Sequence, residues 1–166
     1  MELSDHLIEW DFIYLRVRGA KMHQIVSELL RTKRLPVSDL RLEFLEDELQ
    51  VSARIQKGIA IPVKLTVRTI RVVGKSLQVP LENLATFGLV PIPRLLFRII
   101  GTRGLPDGVR FDPETLTVTV SLERFLPPFV DLNIESIRIV PGGLAVHVGR
   151  GGADLPPATR LSMDGL

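Results

Sequence analysis

The chain contains no cysteine. Disulfides and thiolate metal sites are therefore excluded, and a chain of 166 residues must hold together by packing alone. A chain of this length buries about two-thirds of the surface its unfolded form exposes, which suffices for one domain without covalent staples. The lack of thiols fits a reducing compartment, although many exported bacterial proteins also have no disulfides. Aromatic residues are scarce as well, 5% of the chain against 45% hydrophobic. The apolar content is thus mostly Leu, Val and Ile. An excess of charge of one sign is missing too: 21 basic and 19 acidic residues leave a formal net charge of +2. That balance creates no long-range field to attract nucleic acid. The most apolar stretch, Leu89 to Ile100, is interrupted by Arg94 and Arg98 and broken by Pro91 and Pro93. It is too short and too broken for a transmembrane helix. The opening Met1-Glu2-Leu3-Ser4-Asp5-His6 has neither the basic nor the apolar stretch of a signal peptide. The expected location is the cytoplasm or a membrane surface, or the periplasm if a leader has been removed.

Catalytic signatures are absent in the same way. There is no Gly-x-Ser-x-Gly elbow, no P-loop and no Gly-x-Gly-x-x-Gly after a strand. Gly149-Arg150-Gly151-Gly152 is not followed by a helix pattern, so it lacks the context of a phosphate site. His6, His23 and His147 lie far apart, with no second ligand at metal spacing, and read as ordinary solvated or core histidines. Glu46-Asp47-Glu48 reads as a solvated hairpin turn rather than a catalytic carboxylate pair. No enzymatic activity, metal or cofactor is expected.

What the chain does have is alternation. Residues 1–10 show no clear period and are compatible with a short helix. Ile13, Leu15 and Val17 alternate with Tyr14, Arg16 and Arg18 as in a strand, a pattern also compatible with a helix running on into the next segment. Met22, Ile25, Val26, Leu29 and Leu30 fall at helical spacing, and Leu35-Pro36 ends that helix. The period then becomes two. Leu40, Leu42 and Phe44, then Leu49, Val51, Ala53 and Ile55, then Ile59, Ile61, Val63, Leu65 and Val67 describe three strands joined by the turns Glu46-Asp47-Glu48 and Lys57-Gly58. Half-buried strands joined by short turns make an antiparallel meander. The apolar parity flips near Thr69-Ile70, as a β-bulge that curls the sheet would cause.

A further strand holds Leu77, Val79 and Leu81. Residues 82–101 read as a second helical region, with Pro93 at a helix start and Gly101 at its close. Strands follow at Val109 to Phe111 and Leu116 to Leu122, then the apolar loop Phe125-Leu126-Pro127-Pro128-Phe129. Leu132, Ile134, Ile137 and Ile139 come next with a parity shift near Glu135-Ser136. Pro141-Gly142-Gly143 is a hairpin turn before Leu144, Val146 and Val148. Residues 1–149 are read as a single α+β domain and residues 150–166 as a disordered tail.

The strand pattern Asp39-Leu40-Arg41-Leu42-Glu43-Phe44, its acidic turn and Leu49-Gln50-Val51-Ser52, with Leu105-Pro106-Asp107-Gly108-Val109 and Pro141-Gly142-Gly143-Leu144-Ala145-Val146-His147-Val148, resembles the bacterial tubular lipid-binding (TULIP-like) proteins of the LmeA type. The resemblance spans about residues 20–148 and is one of pattern. It implies a highly curved antiparallel β-sheet wrapped around two helical segments, and non-enzymatic binding or carriage of a phospholipid or other apolar ligand. Proteins of that kind are usually exported, often as lipoproteins.

A mean hydropathy of +0.23 without a membrane span points the same way, because the aliphatic surplus must line a cavity, form a subunit interface or dip into a membrane. Candidate ligand-lining residues are Leu65, Val67, Phe87, Leu95, Leu96, Ile99, Ile100 and Val118. The same parts could equally form a filled core. Arg54, Lys64, Arg68 and Arg71 are candidates for docking at an anionic membrane surface, with a solvated outer sheet face as the plain alternative. They have no interleaved aromatics, so nucleic acid is not an expected partner. The second functional reading is a protein-interaction or homo-oligomerisation module without a small-molecule ligand.

Overall fold

The computed structural model describes residues 6–86 and 105–155. Along the chain these residues form β1 (Ile8–Trp10), β2 (Ile13–Arg18), α1 (Gly19–Thr32), β3 (Val37–Leu45), β4 (Glu48–Lys57), β5 (Ile59–Val67), β6 (Arg71–Val73), β7 (Ser76–Pro80) and β8 (Glu82–Thr86). After the second described stretch begins, β9 (Val109–Asp112), β10 (Thr117–Ser121), a 3-10 turn (Leu122–Arg124), β11 (Val130–Asp131), β12 (Ile134–Val140), β13 (Gly143–Val148) and β14 (Gly151–Ala153) follow. The fold is α+β, dominated by antiparallel strands, with one α-helix among the described residues.

Hydrogen bonding divides the strands into four sheets: β3-β4-β5-β8, β12-β13-β2, β6-β7-β10-β9 and β1-β14-β11. The expectation of one continuous sheet is corrected at Thr69-Ile70. The parity flip there is not a bulge inside a strand. β5 ends at Val67, Ile70 makes an isolated bridge to Ile137, and β6 starts in a different sheet. The parity shift near Glu135-Ser136, in contrast, is a bulge: the register of β12 against β13 slips between Ile134 and Ser136.

Residues 82–86 also differ from the sequence reading. They form a strand on the edge of β5 rather than the start of a helical region. Pairing with an open edge outweighs the weak local preference of Glu82-Asn83-Leu84-Ala85-Thr86. The register slips between Lys64 and Thr66, and Asn83 takes a left-handed φ of 49°, which Asn tolerates better than most residues. The remainder of the expected second helix lies outside the described residues.

The core sits between the meander and the β12-β13-β2 sheet. Phe44, Leu49, Val67, Ile139 and Leu144 are buried together, with Val17, Met22, Leu42, Val51, Leu65, Ile70, Val79, Leu81 and Ile137 packed around them. Each large apolar side chain taken fully from water contributes about 1.5–3 kcal/mol. β13 lies at the centre of its sheet, and every residue in it except His147 is buried.

Helix α1 is tied into this core at its first residue. An added Cβ at Gly19 would lie 2.6 Å from the Phe44 ring, so the first helical residue must be small for Phe44 to seat. The Gly19 N–H, otherwise an orphan of the helix start, donates to the Gly142 carbonyl at 2.8 Å. At the other end Leu35 N–H donates to the Leu30 carbonyl and Arg34 N–H to the Arg31 carbonyl, both at 3.0 Å, while Arg34 takes a left-handed φ of 52°. This is a Schellman closure, and it ends the helix just ahead of Pro36.

The segment from 150, expected as a tail, contributes β14. This strand pairs with β1 on one side and β11 on the other. Its glycines are seats for aromatic rings: a Cβ at Gly152 would meet the His6 ring at 2.5 Å, and one at Gly151 would lie 3.1 Å from the Trp10 indole nitrogen. Residues 8–10 are correspondingly a strand and not a helix.

Candidate functional site

The described ligand-lining candidates, Leu65, Val67 and Val118, do not share one cavity. Val67 is only 4% exposed and sits in the packed core, with Leu65 against the same cluster. Val118 lies in another sheet, paired with Val79 on one side and Phe111 on the other. Phe87, Leu95, Leu96, Ile99 and Ile100 lie outside the described residues.

Val118 belongs to the more open apolar surface. In β6-β7-β10-β9 the cross-strand rows Val72-Leu77-Val120-Val109 and Val79-Val118-Phe111 share one face, because alternate residues of paired strands point the same way. All seven side chains are half-buried and none is fully buried. The opposite face carries Arg71, Gln78, Thr119 and Arg110 in a single row.

At one end of this sheet the β6-β7 turn meets the residues that follow β10. Here Lys75, Leu122, Glu123, Leu126, Pro127, Pro128, Val130 and Leu132 line a groove of about 260 Å³. Its walls are held by main-chain bonds. Leu122 N–H donates to the Lys75 carbonyl at 2.9 Å, Leu126 N–H to the Leu122 carbonyl at 3.0 Å, and Val130 N–H to the Pro127 carbonyl at 3.1 Å. Two adjacent prolines further restrict the loop. The groove is therefore pre-formed and of mixed polarity, with Leu, Val and Pro side chains alternating with exposed polar atoms and with Lys75 and Glu123 as its charged members. Part of it was visible in the sequence as the Phe125 to Phe129 loop. Phe125 itself points to solvent, 56% exposed. The contribution of Lys75, Val130 and Leu132 depends on tertiary folding and has no local signal.

The four basic candidates do not form one free patch. Arg54 is 3.6 Å from Asp39, and Arg68 bridges Glu48 at 3.3 Å and Glu82 at 3.6 Å. Arg71 is exposed but belongs to the other sheet. Lys64 lines a groove of mixed polarity, about 390 Å³, together with the candidate Leu65, with Val51 and Ala85, and with Arg41, Glu43, Gln50, Ser52, Thr66 and Asn83. The acids that interleave with these cations were overlooked in the sequence because Glu48 and Glu82 reach Arg68 only across strands.

Three carboxyl groups among the described residues are held below their ordinary values. The Glu48 carboxyl is held below its ordinary value by the Gln50 amide and then by Arg68. Asp112 is lowered by the Glu114 backbone N–H and then by Thr115, and Glu28 by Arg31. All three are solvent-facing carboxylates kept ionised by local hydrogen bonds. Each histidine has a partner in the fold. A ring N–H of His23 donates to the Leu40 carbonyl at 2.7 Å and holds α1 on β3. His6 bonds Asp154 at 3.2 Å, and His147 packs edge-on against Tyr14 with ring centres 5.0 Å apart. Among the described residues no three His, Asp or Glu side chains group as a metal site, and no helix is long and apolar enough to cross a membrane.

Compared with known proteins, the chain matches no family model, no curated protein and no solved structure.

Proposed function

We propose that the protein binds a lipid-like apolar ligand, without catalysis, on the apolar face of β6-β7-β10-β9 and in the groove beneath the Phe125 to Phe129 loop. The observation that carries this reading is the half-covered row Val72, Leu77, Val79, Val109, Phe111, Val118 and Val120, in the same sheet whose β6-β7 turn contributes Lys75 to a pre-formed groove. In a closed core such side chains would be fully enclosed. The groove volume of about 260 Å³ lies just below the ~300–1,000 Å³ usual for ligand pockets. It suits one acyl chain or a small apolar molecule better than a whole phospholipid. Lys75 at the groove offers a cation to an acidic head group, and Glu123 discriminates against a bulky anion.

In its fuller form this reading has the sheets curving around the apolar segment that contains Phe87, Leu95, Leu96, Ile99 and Ile100. Lys64 and Arg71 then serve docking at an anionic membrane surface, with Arg54 and Arg68 contributing less because acids already engage them.

The test is native mass spectrometry of the purified chain with organic extraction, repeated on Leu126→Glu. A stoichiometric apolar ligand that disappears in Leu126→Glu, with the circular dichroism spectrum unchanged, is the expected outcome. A ligand-free wild-type chain, or a ligand retained in the variant, overturns the reading.

A further inference from the structure

β2 ends its sheet. It pairs with β13 along one side, and no other described strand pairs with its second side. An open strand edge is a row of unused donors and acceptors that invites another strand. The side chains around this edge are unusually apolar for one facing solvent: Phe12 is 79% exposed, Tyr14 57% and Leu15 41%.

The hydrogen-bond phase shows which residues face outward. Gly19 N–H donates to the Gly142 carbonyl, and the Val17 carbonyl lies directly against Gly143. In an antiparallel pair the bonding residues alternate. Leu15 and Val17 therefore direct their main-chain groups toward β13. Phe12, Tyr14, Arg16 and Arg18 direct theirs to the open edge.

We infer that this edge is the contact for a second copy of the chain, with β2 pairing antiparallel to its symmetry mate about a twofold axis at Leu15. Only registers that place even-numbered residues opposite even-numbered residues satisfy the outward groups on both copies. The register centred on Arg16 sets Arg16 against its own mate, and like charges directly opposite are unfavourable. The register centred on Tyr14 leaves Arg18 outside the pairing. The register centred on Leu15 uses the whole stretch from Phe12 to Arg18. It sets Tyr14 opposite Arg16, Phe12 opposite Arg18, Ile13 opposite Val17, and Leu15 opposite itself. Arg18 then meets Phe12, and Arg16 exchanges its 3.0 Å bond to the Pro141 carbonyl for the face of Tyr14, a favourable cation–aromatic pairing, while each aliphatic meets an aliphatic. Tyr14 already stands edge-on to His147, which limits its ring to one side of the sheet. A twofold axis makes the contact self-complementary and closed, so it stops at a dimer.

The absence of cysteine makes the register directly readable. Leu15 and its mate form a non-hydrogen-bonded pair with Cα atoms about 4.5 Å apart, within the ~4.4–6.8 Å span of a disulfide. The 166-residue chain is studied by sedimentation and light scattering from about 1 to about 100 µM, a range that brackets micromolar dissociation. Twice the monomer mass of 18.5 kDa is expected at the upper end. Leu15→Cys cross-links into that dimer under mild oxidation, and Arg16→Cys does not. Leu15→Glu places two carboxylates on the axis and weakens dimerisation at least about tenfold, with an unchanged circular dichroism spectrum. A chain that stays monomeric throughout overturns the inference. So does a dimer that Arg16→Cys locks and Leu15→Cys does not.

Discussion

The sheets β12-β13-β2 and β6-β7-β10-β9 are made from strands of the same kind and end in different surroundings. Leu144, Val146 and Val148 alternate in β13 much as Val118 and Val120 alternate in β10. Yet β13 is buried at every residue but His147, whereas β7 and β10 are half-buried at every residue. The difference comes from what lies opposite. β13 receives the meander, α1 and the Phe44 ring against it. Among the described residues, the β6-β7-β10-β9 sheet leans on that core through Val79, the neighbouring Leu81 and the approach of β6 to β12. Period-two alternation says which side chains share a face, and partner surfaces far along the chain decide whether that face is closed. A face left half-covered gains less from burial on folding, at some cost in stability.

The contrast can be tested by substitution. The largest effect is expected at Gly143, where an added Cβ runs into the Val17 carbonyl and lies 3.1 Å from the Gly19 nitrogen. Both are backbone atoms and neither can swing aside. Gly143→Val should destabilise the chain by more than about 4 kcal/mol or abolish cooperative unfolding in urea. Next comes a matched pair of truncations. Ile139, 3% exposed, lies in the closed core, so Ile139→Ala should cost about 3 kcal/mol. Leu77→Ala, in the half-covered sheet, should cost about 1 kcal/mol, because less of its area leaves water on folding. Equal costs for the two would mean that the second sheet is as closed as the first.

The smallest effect is expected at the β9-β10 turn. The Asp112 carboxylate accepts from the Glu114 N–H at 2.9 Å, which holds its pKa below the ordinary value. A lowered folded-state pKa stabilises fully above the ordinary carboxyl range, and the contribution is lost as the pH falls through the lowered value. Urea midpoints of Asp112→Asn, measured between neutral and strongly acidic pH, should lose this dependence while keeping the hairpin. The amide oxygen can still accept the same bond.

Much of the fold is legible from residue pattern. The β3-β4-β5 meander follows from alternation and its two polar turns, and helix α1 from an apolar stripe closed by Leu35-Pro36. The bulge at Glu135-Ser136 shows as a parity shift because both flanking segments keep their alternation. The same kind of signal at Thr69-Ile70 marks a change of sheet, and a bulge and a crossing look alike when only parity is read. Glu82–Thr86 and Gly151–Ala153 are strands by virtue of their partners alone. The first has mixed preferences, and the second has almost no side chains with which to alternate. The candidate site was legible only as an apolar proline loop. Its remaining walls come from segments as far apart as Lys75 and Leu132, which no local period connects. The basic residues were each identifiable, but the acids that engage Arg54 and Arg68 stand on neighbouring strands.

The pairing of β1 with β14 has a mechanical consequence. Ile8 lies beside Ala153 and Trp10 beside Gly151, so the two strands meet the outgoing chain at the same end. Tension applied from both directions of the chain would load the bonds between them one after another, as in a zipper, rather than all together in shear. The seats that Gly151 and Gly152 provide for Trp10 and His6 would open first. The closed core around Phe44 would bear load only after that small sheet had come apart.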